Sequence, residues 1–124
     1  MSTVLIVEDN EKNMKLARDV LQAKGYKTLE AVTGEEGVAL ARQHVPDLVL
    51  MDIQLPGISG IEAFKQIRAD AKTARVPVVA LTASVTPTDR TAISAAGFDA
   101  FVSKPINLKE FLETVKRLLD GAKK

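Results

Sequence analysis

Four places in this chain carry side chains that chemistry can use, and each follows a short apolar run. Glu8-Asp9-Asn10 follows Val4–Val7, and Asp52 follows Leu48–Met51. Thr82-Ala83-Ser84 follows Val78–Leu81, and Lys104-Pro105 comes just after Ala100–Val102. Brought together, Glu8, Asp9 and Asp52 would crowd one crevice. At ~5 Å and an effective dielectric of ~20, each pair of carboxylates repels by roughly 3 kcal/mol. Such a cluster needs cations. Lys104 offers one, and an all-oxygen pocket suits Mg²⁺, which keeps waters and leaves positions for phosphate oxygens. The Thr82 hydroxyl and a nearby backbone amide, that of Ala83, add donors. A carboxylate set beside a metal, a lysine and a hydroxyl is arranged for phosphoryl transfer. Asp52 is then the nucleophile, and the others neutralise charge on the equatorial oxygens.

Each residue alone has a plainer reading. A strand-end aspartate or threonine is usually a cap or turn residue. Lys104-Pro105 reads as a surface turn, and Glu8-Asp9 as acids near a helix N-terminus. Four such features at four strand ends, with none of this chemistry at the amino ends, weigh against the plainer reading.

Positioning these residues requires a particular scaffold. The runs Val4–Val7, Leu48–Met51 and Val78–Leu81 are apolar throughout, as strands buried on both faces are. Lys27–Ala31 and Ala100–Val102 are more mixed, as edge strands tend to be. Helical patterns lie between the runs. Thr33 with Glu36, Ser59 with Glu62, Asn107 with Glu110 and Thr86 with Asp89 are spaced as N-caps with an acid at N3. The first helix is predicted from about Glu11 to Ala23, with Met14, Ala17, Val20 and Leu21 inward and Gly25 ending it. Gly97 ends the fourth helix in the same way. The last helix carries the stripe Leu108, Phe111, Leu112, Val115, Leu118 and Leu119. Gly121–Lys124 reads as a loose tail. Five β-α units of this kind give an α/β fold: a parallel sheet with right-handed crossovers and helices on both faces. Sites in such folds lie at the carboxyl ends of the strands.

Composition narrows the function further. The chain has 124 residues, with 46% hydrophobic and 27% charged, which suits one globular domain. The net charge is +1 with scattered Lys and Arg, so no nucleic-acid footprint is expected. There is no cysteine, which excludes disulfides and thiolate metal sites, and a cytoplasmic setting fits. The single histidine, His44, excludes a multi-histidine metal site. No apolar stretch is long enough to enter and cross a membrane, and no signal peptide is recognisable.

Taken jointly, Glu8-Asp9, Asp52, Thr82 and Lys104-Pro105 resemble the receiver domain of response regulators, the CheY-like family, over essentially the whole chain. The segment from Met51 through Asp52, Gln54, Pro56 and Gly57 to Gly60 is similar to the family's phosphoacceptor segment. Val7-Glu8-Asp9-Asn10 with Asn13-Met14-Lys15-Leu16, then Asp52-Ile53-Gln54-Leu55-Pro56, is most like single-domain cell-cycle regulators, and also resembles receiver modules of hybrid histidine kinases. The resemblance implies a flavodoxin-like, doubly wound (βα)5 sheet in strand order 2-1-3-4-5. It implies that Asp52 receives phosphate from a histidine kinase or histidine phosphotransferase. Asp9, Asp52 and the backbone carbonyl of Gln54 would hold Mg²⁺ directly, and Glu8 through water. Lys104 would pair with the phosphate, and its bond to Pro105 would be cis. Thr82 and Phe101 would form the switch pair, although Phe101 also reads as an edge-strand core residue. Gln54 and Ser84 would tune phosphate lifetime. Both are uncharged and unable to orient an attacking water, so slow to moderate self-dephosphorylation is expected.

Output would be a protein contact on the face of helix four, strand five and helix five, around Arg90, Ile93, Phe101 and Lys109. The kinase or phosphotransferase would dock by helix one, at Asn13, Met14 and the loop after Pro105. Met1-Ser2 suggests a natural start and a one-domain protein, although a receiver cut from a hybrid kinase fits the same residues. Three other functions compete. A haloacid-dehalogenase-type phosphatase needs a second aspartate where Gln54 stands. A flavin or nucleotide carrier would face repulsion from Glu8-Asp9 and lacks a Gly-rich phosphate loop. An interaction module with a dead site is at odds with the intact residue set.

Overall fold

A computed structural model describes residues 2–55, 57–82, 87–104 and 106–122, with backbone alone for 87–90, 92, 121 and 122. The strands are β1 (Thr3–Val7), β2 (Lys27–Ala31), β3 (Leu48–Asp52), β4 (Val78–Thr82) and β5 (Ala100–Ser103). The helices are α1 (Glu11–Ala23), α2 (Gly34–His44), α3 (Gly60–Ala69), α4 (Pro87–Ala96) and α5 (Leu108–Ala122). All pairings are parallel, in the order β2-β1-β3-β4-β5. The two mixed runs are the two edges, and the three fully apolar runs lie between them. This is the flavodoxin-like order that the resemblance implied.

Alternation along the strands divides the core into two layers. Val4, Ile6, Leu48, Leu50, Val79 and Leu81 pack with Met14, Ala17 and Leu21 of α1 and Phe111, Val115 and Leu119 of α5. Leu5, Val7, Val49, Met51 and Val78 pack on the other face with Val38 and Ala41 of α2 and Ala63, Phe64 and Ile67 of α3. At about 2 kcal/mol for each buried aliphatic side chain, these two layers, and not the thinly covered edges, hold the sheet.

The helix ends follow from local chemistry. Thr33, Ser59 and Asn107 each accept from the amide three residues on. Glu36 completes the first of these caps from the other side by accepting from Val32 N. The cap expected at Thr86 lies outside the described residues. Asn10 caps α1 by accepting from Lys12 N and Asn13 N, a role its place beside two acids had hidden. Gly25 (φ 89) and Gly97 (φ 99) end α1 and α4 in the left-handed conformation. α2 ends differently: Val45 takes φ 44 just before Pro46, a conformation that a β-branched residue resists.

Two expectations need correction. Leu108 is 44% exposed, because it opens α5 beyond the edge of the core. Gly121 is not tail, since α5 runs through Ala122. At the amino end of β4, Asp99 Oδ2 accepts from Val78 N and from Arg68 Nη2, both at 2.7 Å. Arg68 Nη1 donates to the Val76 carbonyl. Its guanidinium lies 4.8 Å from the Phe64 ring centre, and Phe64 stacks on Phe98 at 4.1 Å.

Candidate functional site

Register carries the chemistry to one rim. Val7 pairs with Met51, so Glu8 and Asp52 follow at the same level. Asp52 pairs with Leu81, and Thr82 with Ser103, which places Lys104 one residue beyond; Lys104 N donates to Thr82 O at 2.8 Å. The three carboxylates each contribute one oxygen to a group lying within 4.8 Å. Glu8 and Asp52 are 1% and 4% exposed, while Asp9 faces solvent.

Lys104 Nζ bridges the buried pair, 2.6 Å from Glu8 Oε1 and 2.9 Å from Asp52 Oδ2. It donates a hydrogen bond to Asp52, whose other oxygen accepts from Gln54 N at 3.1 Å. Glu8 Oε1 is ion-paired with this ammonium, while Glu8 Oε2 is buried without a hydrogen-bond donor. Burial, reinforced by Asp52, pushes the Glu8 carboxyl up from 4.5 to about 7. For Lys104, burial favours loss of the proton, but the two carboxylates outweigh it and the net shift is upward. With every acid ionised, three negative charges face one positive charge. That imbalance, the buried and unpartnered Glu8 Oε2 and the oxygen-only donor set fit a divalent cation.

Against this geometry, residues 4–116 match the family described as response regulator receiver domain. The chain belongs to that family. This receiver is 48% identical over 120 residues to the polar-differentiation response regulator DivK of Brucella ovis, covering 97% of this chain and 98% of that one. The likeness seen in the segments around Glu8 and Asp52 is thus not confined to them but extends over nearly the full length. Among solved structures, the receiver domain of sensor histidine kinase PA1611 from Pseudomonas aeruginosa matches with TM-score 0.90 and 32% identity, over 96% and 98% of the two chains. That structure has a magnesium ion coordinated in its active-site cleft. Vibrio cholerae chemotaxis protein CheY4 matches with TM-score 0.89 and 28% identity, over 95% and 98%.

The structure brings Glu8, Asp9, Asp52 and Lys104 together, with Thr82 buried at the adjoining strand end. Gln54 follows Asp52 on the exposed side of the rim. Ala83, Ser84 and Pro105 lie outside the described residues. Phe101 is 37% exposed on the edge strand, which removes its reading as a core residue. A groove of about 600 Å³ opens beside it, walled by Glu110, Glu113 and Arg117. Two proposed contact residues are misplaced. Ile93 is buried at 3% exposure and cannot face an output partner, and Met14 at 6% belongs to the core under α1. Asn13 is half-buried and Lys109 exposed, and the Arg90 side chain lies outside the described residues. No described helix is long and apolar enough to cross a membrane. The contact of Glu35 with Ile58 N had no signal in the sequence.

Proposed function

We propose that this receiver, as one domain acting in the cytoplasm, accepts a phosphoryl group on Asp52 from the phosphohistidine of a histidine kinase or histidine phosphotransferase. The observation that carries this reading is the pairing of a nearly buried aspartate with Lys104 Nζ at 2.9 Å, beside two further acids. In the transfer, an Asp52 oxygen attacks phosphorus while the P–N bond breaks. The bonding electron pair returns to the imidazole, and Asp52 becomes an acyl phosphate. Lys104 is placed to turn its ammonium from carboxylate to phosphoryl oxygen as charge builds there. Asp9, Asp52 and the Gln54 carbonyl would hold Mg²⁺, with Glu8 behind a water. When bound, the ion supplies positive charge to the phosphoryl oxygens.

The receiver is a signalling protein, and the only reactions we assign to it are its own phosphorylation and dephosphorylation. Thr82 then draws toward the new oxygens and Phe101 turns inward, biasing a two-state element. The exposure of the Phe101 ring leaves that movement to be made. A downstream protein would read it on the α4-β5-α5 face, without nucleic acid or membrane insertion. Gln54 and Ser84 supply no carboxylate to an attacking water, so the acyl phosphate outlasts seconds.

The test uses Mg²⁺, acetyl phosphate and intact mass. The protein gains one phosphoryl group that hydroxylamine removes, and Asp52→Asn gains none. A folded protein that neither binds magnesium nor labels would refute the reading, and so would labelling that survives Asp52→Asn.

A further inference from the structure

The loop after β3 carries the Gln54 carbonyl assigned above to the metal, and its near end is well fixed. Ile53 N donates to Leu81 O and Gly60 N to Ile53 O, both at 3.0 Å. Gln54 N donates to Asp52. The far end is held from a different element. Glu35, in the first turn of α2, accepts from Ile58 N through Oε1 at 3.2 Å. A Cβ on Gly57 would lie 2.5 and 2.6 Å from the two Glu35 carboxylate oxygens, so the carboxylate fills the space that a side chain there would take. Gly57 also holds φ 77, which glycine tolerates best. One residue before Glu35, a Cβ on Gly34 would lie 2.7 Å from Ile58 Cγ1 and 2.9 Å from Ile58 O. Two glycines thus clear room, on both sides of the contact, for the start of α2 to seat against this loop. Among the described residues no lysine or arginine forms an ion pair with Glu35, so its carboxylate is directed to the loop amide.

We propose that Glu35 is a positioning residue for the phosphorylation site: by holding Ile58 N–H it fixes the β3–α3 loop and so the Gln54 carbonyl. It touches neither metal nor phosphoryl group and acts only through the loop. The inference rests on the metal and phosphoacceptor reading given above. It assigns α2 a part in the site although no α2 residue lies on the rim.

The test compares the full chain with Glu35→Ala and Glu35→Gln. Magnesium affinity is measured by calorimetry, Ile58 amide exchange by NMR, and acetyl phosphate labelling across magnesium concentrations. Glu35→Ala weakens magnesium binding by about three- to tenfold, less than the loss of a direct hydrogen-bond partner of a ligand, because Glu35 acts through the loop. Its Ile58 amide exchanges faster, and its labelling rate recovers at saturating magnesium, a split that general destabilisation does not produce. Glu35→Gln keeps an oxygen for the amide and recovers affinity to within about twofold. If the parent binds magnesium and labels, and Glu35→Ala binds it equally well, the role of Glu35 is refuted. If the parent neither binds magnesium nor labels, the reading of the site itself falls, and this role with it.

Discussion

Glu8→Gln gives a direct measure of what the buried acid costs the fold. The carboxyl of Glu8 is shifted from 4.5 to about 7, first by burial and then by Asp52. At 1% exposure, solvent does little to screen it. A carboxyl whose pKa is raised on folding binds its proton more tightly in the native state. Its stabilising contribution is complete below pH 4.5 and is lost as pH rises through about 7. One pKa unit is about 1.4 kcal/mol, so the full loss is about 3–4 kcal/mol, most of which falls between pH 5 and pH 8. Glutamine keeps the shape without the charge and removes this slope. The assay is urea unfolding in EDTA at pH 5 and pH 8, for parent and Glu8→Gln. Taking the difference between the two proteins cancels the titrating groups that do not touch Glu8. With m near ~1.5 kcal/mol per molar, the parent midpoint drops between the two pH values by about 1–2 M more than that of the variant. Adding magnesium at pH 8 restores the parent. Parent and variant slopes that superimpose within about 0.5 kcal/mol would refute the reasoning.

Two further substitutions test local geometry. A Cβ on Gly60 would lie 2.0 Å from the Asp52 carbonyl oxygen. Gly60→Ala therefore destabilises by about 2–4 kcal/mol despite alanine's helix preference, and slows phosphoryl labelling because the backbone of Asp52 must move. Urea unfolding and labelling rate check both effects. Val45→Asn relieves a β-branched residue at φ 44 and raises stability by about 1 kcal/mol, read as a higher thermal midpoint; a lower midpoint would count against the strain.

The rim was legible in the sequence because a parallel sheet sends every strand's carboxyl end to the same edge. Once the apolar runs were recognised, Glu8, Asp52 and Lys104 had to meet, and the register places them within ion-pair reach. Helical spacing was equally dependable: it set Met14 inward, and the structure agrees. Assigning Met14 and Ile93 to docking surfaces failed because those roles came from analogy, which knows nothing of which side of a helix is covered. Contacts between elements far apart in sequence gave no local sign. Glu35 reaching Ile58, Arg68 reaching Asp99 and the left-handed Val45 are settled by how elements pack, and neither spacing nor propensity records that.

The tie among Arg68, Asp99 and the start of β4 lies at the opposite margin of the sheet from the acids. Guanidinium, carboxylate and strand amide lock α3, β4 and the approach to β5 into one block, with stacked rings behind them. The amino margin of the sheet is therefore pinned by side chains as well as by its own ladder, independently of the acids and lysine at the other end.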